Sequence, residues 1–225
     1  MASPSTAQFF KEMVSVYDDL IQRHVPCYGD LFWALFHYLP QDFQPQEVLE
    51  LGCGTGNLTL AISKCWPQAH ITAVDMVPEM LAETRPKVPG ATLVESSFQA
   101  LDLPEGKFDV ILSSLALHHL LDHEKGPFFK KCRDWLKPGG FMVFADCTLS
   151  NTDRLSQINV DLLIELNKQQ GLTPEELEQT WVHRNTHDHY ASLDDLTRWL
   201  RDAGFINIDI LWRYCIWVVI QAQKP

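Results

Sequence analysis

Short apolar runs and longer amphipathic stretches alternate through the middle of the chain. The run at 108–114 is almost continuously apolar, which is typical of a strand in a sheet buried on both faces. Similar short runs predict strands at 48–51, 70–75, 91–96 and 141–146, and two closely joined strands at 206–212 and 216–221. The stretches between them have helical periodicity. The pattern therefore predicts an α/β domain.

Helices are also predicted on both sides of this core. Apolar positions from Phe9 to Leu39 recur at helical spacing and predict two helices, broken near Pro26 and Gly29. A second helical region lies between residues 150 and 190, where Thr173 begins a capping box. We expect residues 183–190 to be irregular, and residues 1–8 to be frayed. Both helical regions would adjoin the strand ends and form a lid.

Three glycines follow the first predicted strand. Gly52, Gly54 and Gly56 stand at alternate positions after Glu50, directly before a predicted helix. Glycines there allow positive φ angles, and the free N–H groups of the helix attract electron-rich ligands. A pyrophosphate turn would have the spacing G-x-G-x-x-G, and Glu50 would repel phosphate. The turn therefore favours a cationic ligand over a dinucleotide.

A second carboxylate has the position expected of a ribose-binding acid. Asp75 ends the second predicted strand, 23 residues after Gly52 (75 − 52 = 23). An acid that binds ribose hydroxyls is expected about 20 residues after the first glycine. Met76, the next residue, would lie against the base. Together these positions predict a site for an adenosyl ligand.

These motifs resemble those of class I S-adenosylmethionine-dependent methyltransferases. The resemblance rests on Glu50 to Gly56 and on Val74-Asp75, continues through 108–114 and 136–140, and covers about residues 46–148. It implies a Rossmann-like fold with a seven-stranded, mostly parallel sheet, a reversed last strand, helices on both faces and a helical cap. It also implies S-adenosylmethionine as cofactor and a small-molecule methyl acceptor.

The resemblance implies a set of cofactor contacts. Where the family commonly has an aspartate after the third strand, this chain has Ser96-Ser97-Phe98, so Ser97 would accept the adenine hydrogen bond more weakly and Phe98 would stack. Tyr28 loosely fits a Pro-x-Tyr pattern near the amino-acid end of the cofactor. The residues expected at the cofactor are Tyr17, Tyr28, Glu50, Gly52, Gly54, Gly56, Asp75, Met76, Ser97, Phe98 and Leu115.

Three residues are candidates for catalysis. In this fold the end of the fourth strand faces the transferring methyl group, and His118 and His119 follow that strand. Imidazole titrates near neutral pH, so one of them can act as a general base, or be a structural histidine in a loop. Since they are adjacent, we expect their side chains to point in different directions. Asp146, at the tip of the fifth strand, would orient an amine or hydroxyl acceptor or cap a loop.

No metal site is predicted. His187, Asp188 and His189 are residue types that ligate metals, but no further cysteine or histidine completes a recognisable spacing. We expect this segment to be a polar wall of the acceptor pocket or a solvated loop.

Composition narrows the possible partners and compartment. The net charge of −11 argues against an extended nucleic-acid surface, although local basic patches are compatible with it. The six cysteines show no C-x-x-C spacing and indicate reduced thiols. No signal peptide and no apolar run of about 20 residues is visible, so we expect a cytoplasmic protein without membrane contact. The oligomeric state stays open.

The sequence therefore predicts one domain. We divide it into an N-terminal helical lid (1–42), a cofactor-binding core (43–149), a helical cap insertion (150–190), and a last helix with the terminal strands (191–225). Three alternatives to a small-molecule methyltransferase remain: a carboxy-S-adenosylmethionine synthase of the tRNA wobble pathway, a non-catalytic S-adenosylmethionine-binding module, and, least favoured, a nicotinamide dehydrogenase.

Overall fold

A seven-stranded sheet forms the centre of the protein in the computed structural model, which describes residues 6–225. The strands are β1 Glu47–Leu51, β2 His70–Asp75, β3 Thr92–Glu95, β4 Phe108–Ser114, β5 Leu136–Leu149, β6 Ala191–Ser192, β7 Ile206–Tyr214 and β8 Trp217–Gln223. The sheet order is β3-β2-β1-β4-β5-β8-β7, and the two-residue β6 pairs with β5. β1 to β5 are parallel, whereas β8 is antiparallel to β5 and β7. The predicted sheet with a reversed last strand is confirmed.

Helices cover both faces of this sheet. They are α1 Thr6–Met13, α2 Tyr17–His24, α3 Tyr28–His37, α4 Asn57–Cys65, α5 Pro78–Lys87, α6 Asp122–Trp135, α7 Asp153–Gln169, α8 Pro174–His187 and α9 Leu193–Asp202. A short 3-10 turn, Leu117–His119, follows β4.

Successive side chains of a strand point to opposite faces of the sheet, so the core consists of two layers. In β1, Val48 joins the cluster that contains Leu35 of α3, whereas Leu49 joins the cluster that contains Phe129 of α6 and Leu200 of α9. All five side chains are fully buried. Burying apolar surface on both faces stabilises the sheet and fixes the direction in which its strand ends point.

Three helices, not the predicted two, precede the sheet. The extra break is the turn at residues 14–16, where the Val16 N–H donates to the Met13 carbonyl oxygen at 3.0 Å. Val, Ser and Val are poor helix formers, which accounts for the break. Thr6 to Gln8, expected to be frayed, belong to α1, and residues 1–5 lie outside the described part of the chain.

Two further helix bounds differ from the prediction. The sequence predicts a helix from about Pro127 to Leu136, but α6 begins at Asp122, because Glu124 accepts a hydrogen bond from the Leu121 N–H at 2.8 Å. The predicted capping box at Thr173 is present and starts α8. That helix continues to His187, so only residues 188–190 of the segment expected to be irregular follow it.

Candidate active site

The glycine turn after β1 packs closely against the end of β4. Gly52 has φ +71°, and a Cβ atom there would lie 2.3 Å from the Cβ of Ala116. Gly54 has φ +52°. The N–H groups of Gly52 and Cys53 both donate to the carbonyl oxygen of Val74, at 2.8 and 2.9 Å. The close approach and the positive φ angles explain why glycine is needed at these positions.

Asp75 joins this turn to the tip of β2. Its carboxylate accepts hydrogen bonds from the N–H groups of Gly54 and Val77, at 2.8 and 2.9 Å. Burial raises the pKa of Asp75, and these backbone hydrogen bonds partly oppose that shift. Each oxygen keeps a lone pair, so the carboxylate can still accept ligand hydroxyls.

A cavity of about 200 Å³ lies above the turn, and we call it the first cavity. Eight of the predicted cofactor residues line it: Tyr17, Gly52, Gly54, Asp75, Met76, Ser97, Phe98 and Leu115. The missed residues Gln99 and Ala116 also line it. A groove with backbone at its floor and a carboxylate at its edge suits a nucleoside, because it offers both hydroxyl acceptors and close main-chain contact.

The other three predicted cofactor residues lie outside this lining. Gly56, with φ +86°, caps α4, and a Cβ there would lie 2.8 Å from Thr84. Tyr28 packs on Phe32, with ring centroids 4.6 Å apart. Glu50 is 1% exposed, and burial raises its pKa to about 8. Their contribution to cofactor binding stays a prediction.

The serines after β3 take part in a local turn. Ser97 Oγ accepts a hydrogen bond from the Ala100 N–H at 3.3 Å, so its oxygen is partly used within the protein. Phe98 lines the first cavity and packs against Phe128, with centroids 5.0 Å apart. An aromatic wall is therefore present where the family aspartate is missing.

α2 is attached to the glycine turn by Asp18. This carboxylate accepts hydrogen bonds from the Thr55 hydroxyl, from Asn57 Nδ2 at 2.8 Å and from Lys87 Nζ at 2.7 Å. The neighbouring Tyr17 is thereby held at the first cavity.

A second cavity, of about 100 Å³, adjoins the first. Phe10, Tyr17, Leu115 and His119 line both cavities and form what we call the shared wall. Leu115 has φ +55°, an uncommon conformation for a non-glycine residue that is often found at functional sites. Phe10 was not singled out by the sequence, since its place depends on how α1 folds over the sheet.

Two of the predicted catalytic residues contact each other: His118, in the 3-10 turn after β4, and Asp146, in β5. His118 Nδ1 forms a short hydrogen bond with Asp146 Oδ1, which also accepts the Cys147 N–H at 2.8 Å. Both side chains are buried. Burial opposes protonation of His118, but Asp146 raises the His118 pKa above its ordinary value. The carboxylate therefore orients the ring.

The prediction that His118 and His119 point in different directions is wrong. His118 Nε2 and His119 Nδ1 lie 3.7 and 3.3 Å from the same oxygen, Asp188 Oδ1. The tight 3-10 turn brings the two rings to a centroid distance of 4.2 Å. Burial, together with His118, lowers the pKa of His119 to about 4, so its ring is neutral at pH 7.

Asp188 is the centre of a group of polar side chains that line the second cavity. His183 Nε2, from the last turn of α8, is 3.3 Å from Asp188 Oδ1, and the Tyr190 hydroxyl donates to Oδ2 at 2.9 Å. Although burial opposes ionisation, His119 and His183 hold the pKa of Asp188 well below its usual range. The sequence predicted a polar wall or a solvated loop here, and only the fold shows that Asp188 meets His118 and His119.

Comparisons with known proteins agree with this geometry. Residues 48–140 match the family described as a methyltransferase domain. The chain is 33% identical to an uncharacterised methyltransferase of Bacillus cytotoxicus, over 72% of this chain and 74% of that protein. It is 26% identical to the carboxy-S-adenosyl-L-methionine synthase of Aeromonas hydrophila, over 96% of this chain and 91% of that enzyme.

A solved structure supports the fold. Human N-acetylserotonin methyltransferase in complex with S-adenosylmethionine superposes with a TM-score of 0.63, over 97% of this chain and 55% of that one, at 20% identity. The methyltransferase-domain match and the sequence relatives, together with the glycine turn and Asp75, show the family. The chain belongs to the class I S-adenosylmethionine-dependent methyltransferases.

Proposed function

We propose that this enzyme transfers the methyl group of S-adenosylmethionine to a small-molecule acceptor bound in the second cavity. The observation that carries the proposal is the shared wall of Phe10, Tyr17, Leu115 and His119 between the two cavities. A donor in the first cavity and an acceptor in the second would meet there. Bound S-adenosylmethionine supplies a methyl group on a positively charged sulfur, already activated for transfer.

The first cavity fits the cofactor on two grounds. Gly52 and Gly54 line it, so a ligand can lie directly on the main chain there. Asp75 has free acceptor capacity at the tip of β2. The second cavity is lined in part by aromatic and apolar residues such as Phe9, Met13 and Trp217, which would exclude water.

The protein would contribute mainly by positioning. Holding two reactants in line can supply about 7–11 kcal/mol of the barrier. A proton acceptor is needed only if the acceptor arrives protonated, and neutral His119 at the shared wall would serve. His118, oriented by Asp146, would be its neighbour in the lining of the second cavity.

We propose that residues 1–42 and 150–190 close over the site as a lid. α1 and α2 supply Phe9, Phe10, Tyr17 and other wall residues, and α8 supplies His183. Arg23 of α2 forms two hydrogen bonds with Glu176 of α8, at 3.0 and 2.7 Å, and so joins the two parts. A cytoplasmic location stays a prediction, which the six free cysteines support. None of the helices described is long and apolar enough to cross a membrane.

Substitution at the first cavity tests the cofactor site. Asp75→Ala removes a charged hydrogen-bond acceptor, and Gly54→Val places a β-branched residue at φ +52°. Two lost hydrogen bonds to a charged group, about 1.5 kcal/mol each or more, predict at least about 100-fold weaker S-adenosylhomocysteine binding for Asp75→Ala. Isothermal calorimetry measures this, with circular dichroism to verify folding.

The matched control is Asp102→Ala, which removes an exposed acid away from the cavity lining. Its affinity should equal that of the wild type. A folded Asp75→Ala or Gly54→Val protein that binds like the control would show that the cofactor site is assigned wrongly.

A second candidate function is synthesis of carboxy-S-adenosylmethionine. The near full-length similarity to the Aeromonas enzyme favours it. So does Arg184, whose guanidinium carbon lies 4.9 Å from the Trp181 ring centroid and whose buried Nη1 has no hydrogen-bond partner within residues 6–225. A guanidinium N–H group without a hydrogen-bond partner can donate to a carboxylate ligand. Incubation with S-adenosylmethionine and prephenate distinguishes the candidates, because mass spectrometry would show the carboxylated cofactor only for this second function.

A further inference from the structure

One carboxylate oxygen in the second cavity faces three imidazole nitrogens. Asp188 Oδ1 lies 3.3 Å from His119 Nδ1, 3.3 Å from His183 Nε2 and 3.7 Å from His118 Nε2. The ligand atoms of His118, His119 and Asp188 all lie within 4.8 Å of one another. These residues come from the 3-10 turn after β4 and from the end of α8, so the fold assembles the cluster from distant parts of the chain.

The spacing matches a metal coordination sphere. Tetrahedral Zn²⁺ bonds of about 2.0–2.2 Å place neighbouring ligand atoms about 3.4 Å apart. The distances of 3.3 and 3.7 Å from Asp188 Oδ1 to the nitrogens of His119 and His118 lie close to that value. A single ion between these three atoms would therefore need only small side-chain movements.

The Oδ1 atom of Asp188 lacks the hydrogen bonds that a buried carboxylate oxygen needs. Asp188 Oδ1 is buried, and within residues 6–225 no group forms a well-aligned hydrogen bond with it, although His119 Nδ1 and His183 Nε2 lie 3.3 Å away. His118 Nδ1 is bound to Asp146, so in the neutral ring the N–H is at Nδ1 and a lone pair at Nε2 faces the Asp188 oxygen. A cation bound between these two atoms would satisfy both of them.

The surroundings are those of a metal ligand sphere. Metal-ligating histidines commonly donate their other ring N–H to a carboxylate, which fixes the tautomer and the ring direction. Asp146 does this for His118. Tyr190 donates to the second oxygen of Asp188 and leaves Oδ1 for another partner.

We propose that His118 Nε2, His119 Nδ1 and Asp188 Oδ1 bind a divalent first-row transition ion in the second cavity. Two imidazoles and one carboxylate suit Zn²⁺ or Fe²⁺ and not Mg²⁺, which prefers an all-oxygen sphere. Three protein ligands leave a coordination position open toward the cavity. A water molecule fits there, as does an oxygen or sulfur atom of the acceptor; this last assignment rests on the proposed function, and the bound ion would then lower the pKa of that atom in place of His119 as the proton acceptor. His183, on the same Asp188 oxygen, orients the carboxylate.

A Zn²⁺ titration tests the site directly. The full chain is freed of metal with a chelator, and calorimetry follows the addition of Zn²⁺ and, separately, of Mg²⁺. We expect one tight Zn²⁺ site and no comparable Mg²⁺ site. Asp188→Asn should remove the tight site, and Asp146→Asn, which keeps all three ligands but releases His118, should weaken it by about 10–100-fold.

The control is His70→Ala, an exposed histidine at the opposite end of β2, which should bind Zn²⁺ like the wild type. Circular dichroism verifies that each variant is folded. The proposal is overturned if the wild type has no tight Zn²⁺ site, or if folded Asp188→Asn binds Zn²⁺ as tightly as the wild type. In either case a proton, and not a metal, would bridge the cluster.

S-adenosylhomocysteine binding, measured on the same samples, separates this proposal from the cofactor assignment. Asp188 does not line the first cavity, so Asp188→Asn should keep its S-adenosylhomocysteine affinity while losing Zn²⁺. If Asp188→Asn loses the Zn²⁺ site and still binds S-adenosylhomocysteine like the wild type, the result supports the metal site and does not bear on the cofactor assignment. A wild-type protein that binds Zn²⁺ but no S-adenosylhomocysteine would refute the proposed function and leave the metal site standing.

Discussion

Glu50 shows how a single buried residue links the cofactor turn to stability. Its carboxyl is 1% exposed, and burial, with the charge of Asp75 nearby, raises its pKa from 4.5 to about 8. The folded protein therefore holds a proton at Glu50 that the unfolded chain loses once the pH passes 4.5. Below pH 4.5 both states are protonated and Glu50 contributes no pH dependence.

The free energy of unfolding should fall as the pH rises from about 5 to 8, because the unfolded state releases this proton first. The slope corresponds to about 1.4 kcal/mol per pH unit at most. Glu50→Gln cannot titrate and should lack this component, so the difference between the two proteins should grow with pH. Urea unfolding of the ligand-free proteins at several pH values measures it. Parallel curves for both proteins would refute the raised pKa.

The residues of the first cavity were largely predictable from the sequence, whereas the contact of Asp188 with the histidines of the second cavity was not. Gly52, Gly54 and Asp75 are recognisable because glycine spacing and strand ends are local features of the sequence. Asp188 lies 70 residues beyond His118 (188 − 118 = 70) and meets it only through the packing of α8. No periodicity in the sequence encodes such a long-range contact.

At the scale of elements, α2 connects the cofactor turn to the cap. Asp18 binds the region of the glycine turn, Arg23 binds Glu176 of α8, and Tyr17 between the two cavities lies at the start of the helix. The position of α2 therefore determines the shape of both cavities.

Substitutions of two adjacent acids in α2 test whether this connection depends on Asp18 specifically or on the negative charge of the helix surface. Asp18→Ala removes three hydrogen bonds, one of them to Lys87, and should lower the free energy of unfolding by about 1–3 kcal/mol. It should also weaken S-adenosylhomocysteine binding, since Tyr17 and the turn lose their connection. Asp19→Ala removes only an exposed pair with Arg23, which contributes about 0–1 kcal/mol. Equal effects of the two changes, by urea unfolding and calorimetry, would contradict the connecting role of α2.

The ends of helices and strands were predictable where residues close together in the sequence determine them. β2 and β4 have the predicted ends, since apolar runs bounded by polar residues define them. The turn between α1 and α2 was missed because apolar residues continue through residues 14–16 at helical spacing. The extent of α8 was missed because its polar last turn, from His183 to His187, is stabilised by tertiary contacts.

For the whole molecule, the carboxyl ends of β1 to β5 meet at one edge of the sheet. Gly52, Asp75, Ser97 and Leu115 end or follow β1 to β4, and Asp146 lies three residues before the end of β5 (149 − 146 = 3), so all five are gathered at one place. Open α/β sheets bind ligands at this edge. Residues of α1, α2 and α8 line the two cavities above this edge, which under the proposed function would hold the donor and the acceptor.

A crystal structure with bound S-adenosylhomocysteine tests the central claim most directly. The account predicts that the ribose hydroxyls bind Asp75 in the first cavity and that the sulfur faces the shared wall of Phe10, Tyr17, Leu115 and His119. The second cavity would then open onto the position of the missing methyl group. A nucleoside bound outside the first cavity, or a sulfur directed away from the shared wall, would contradict it.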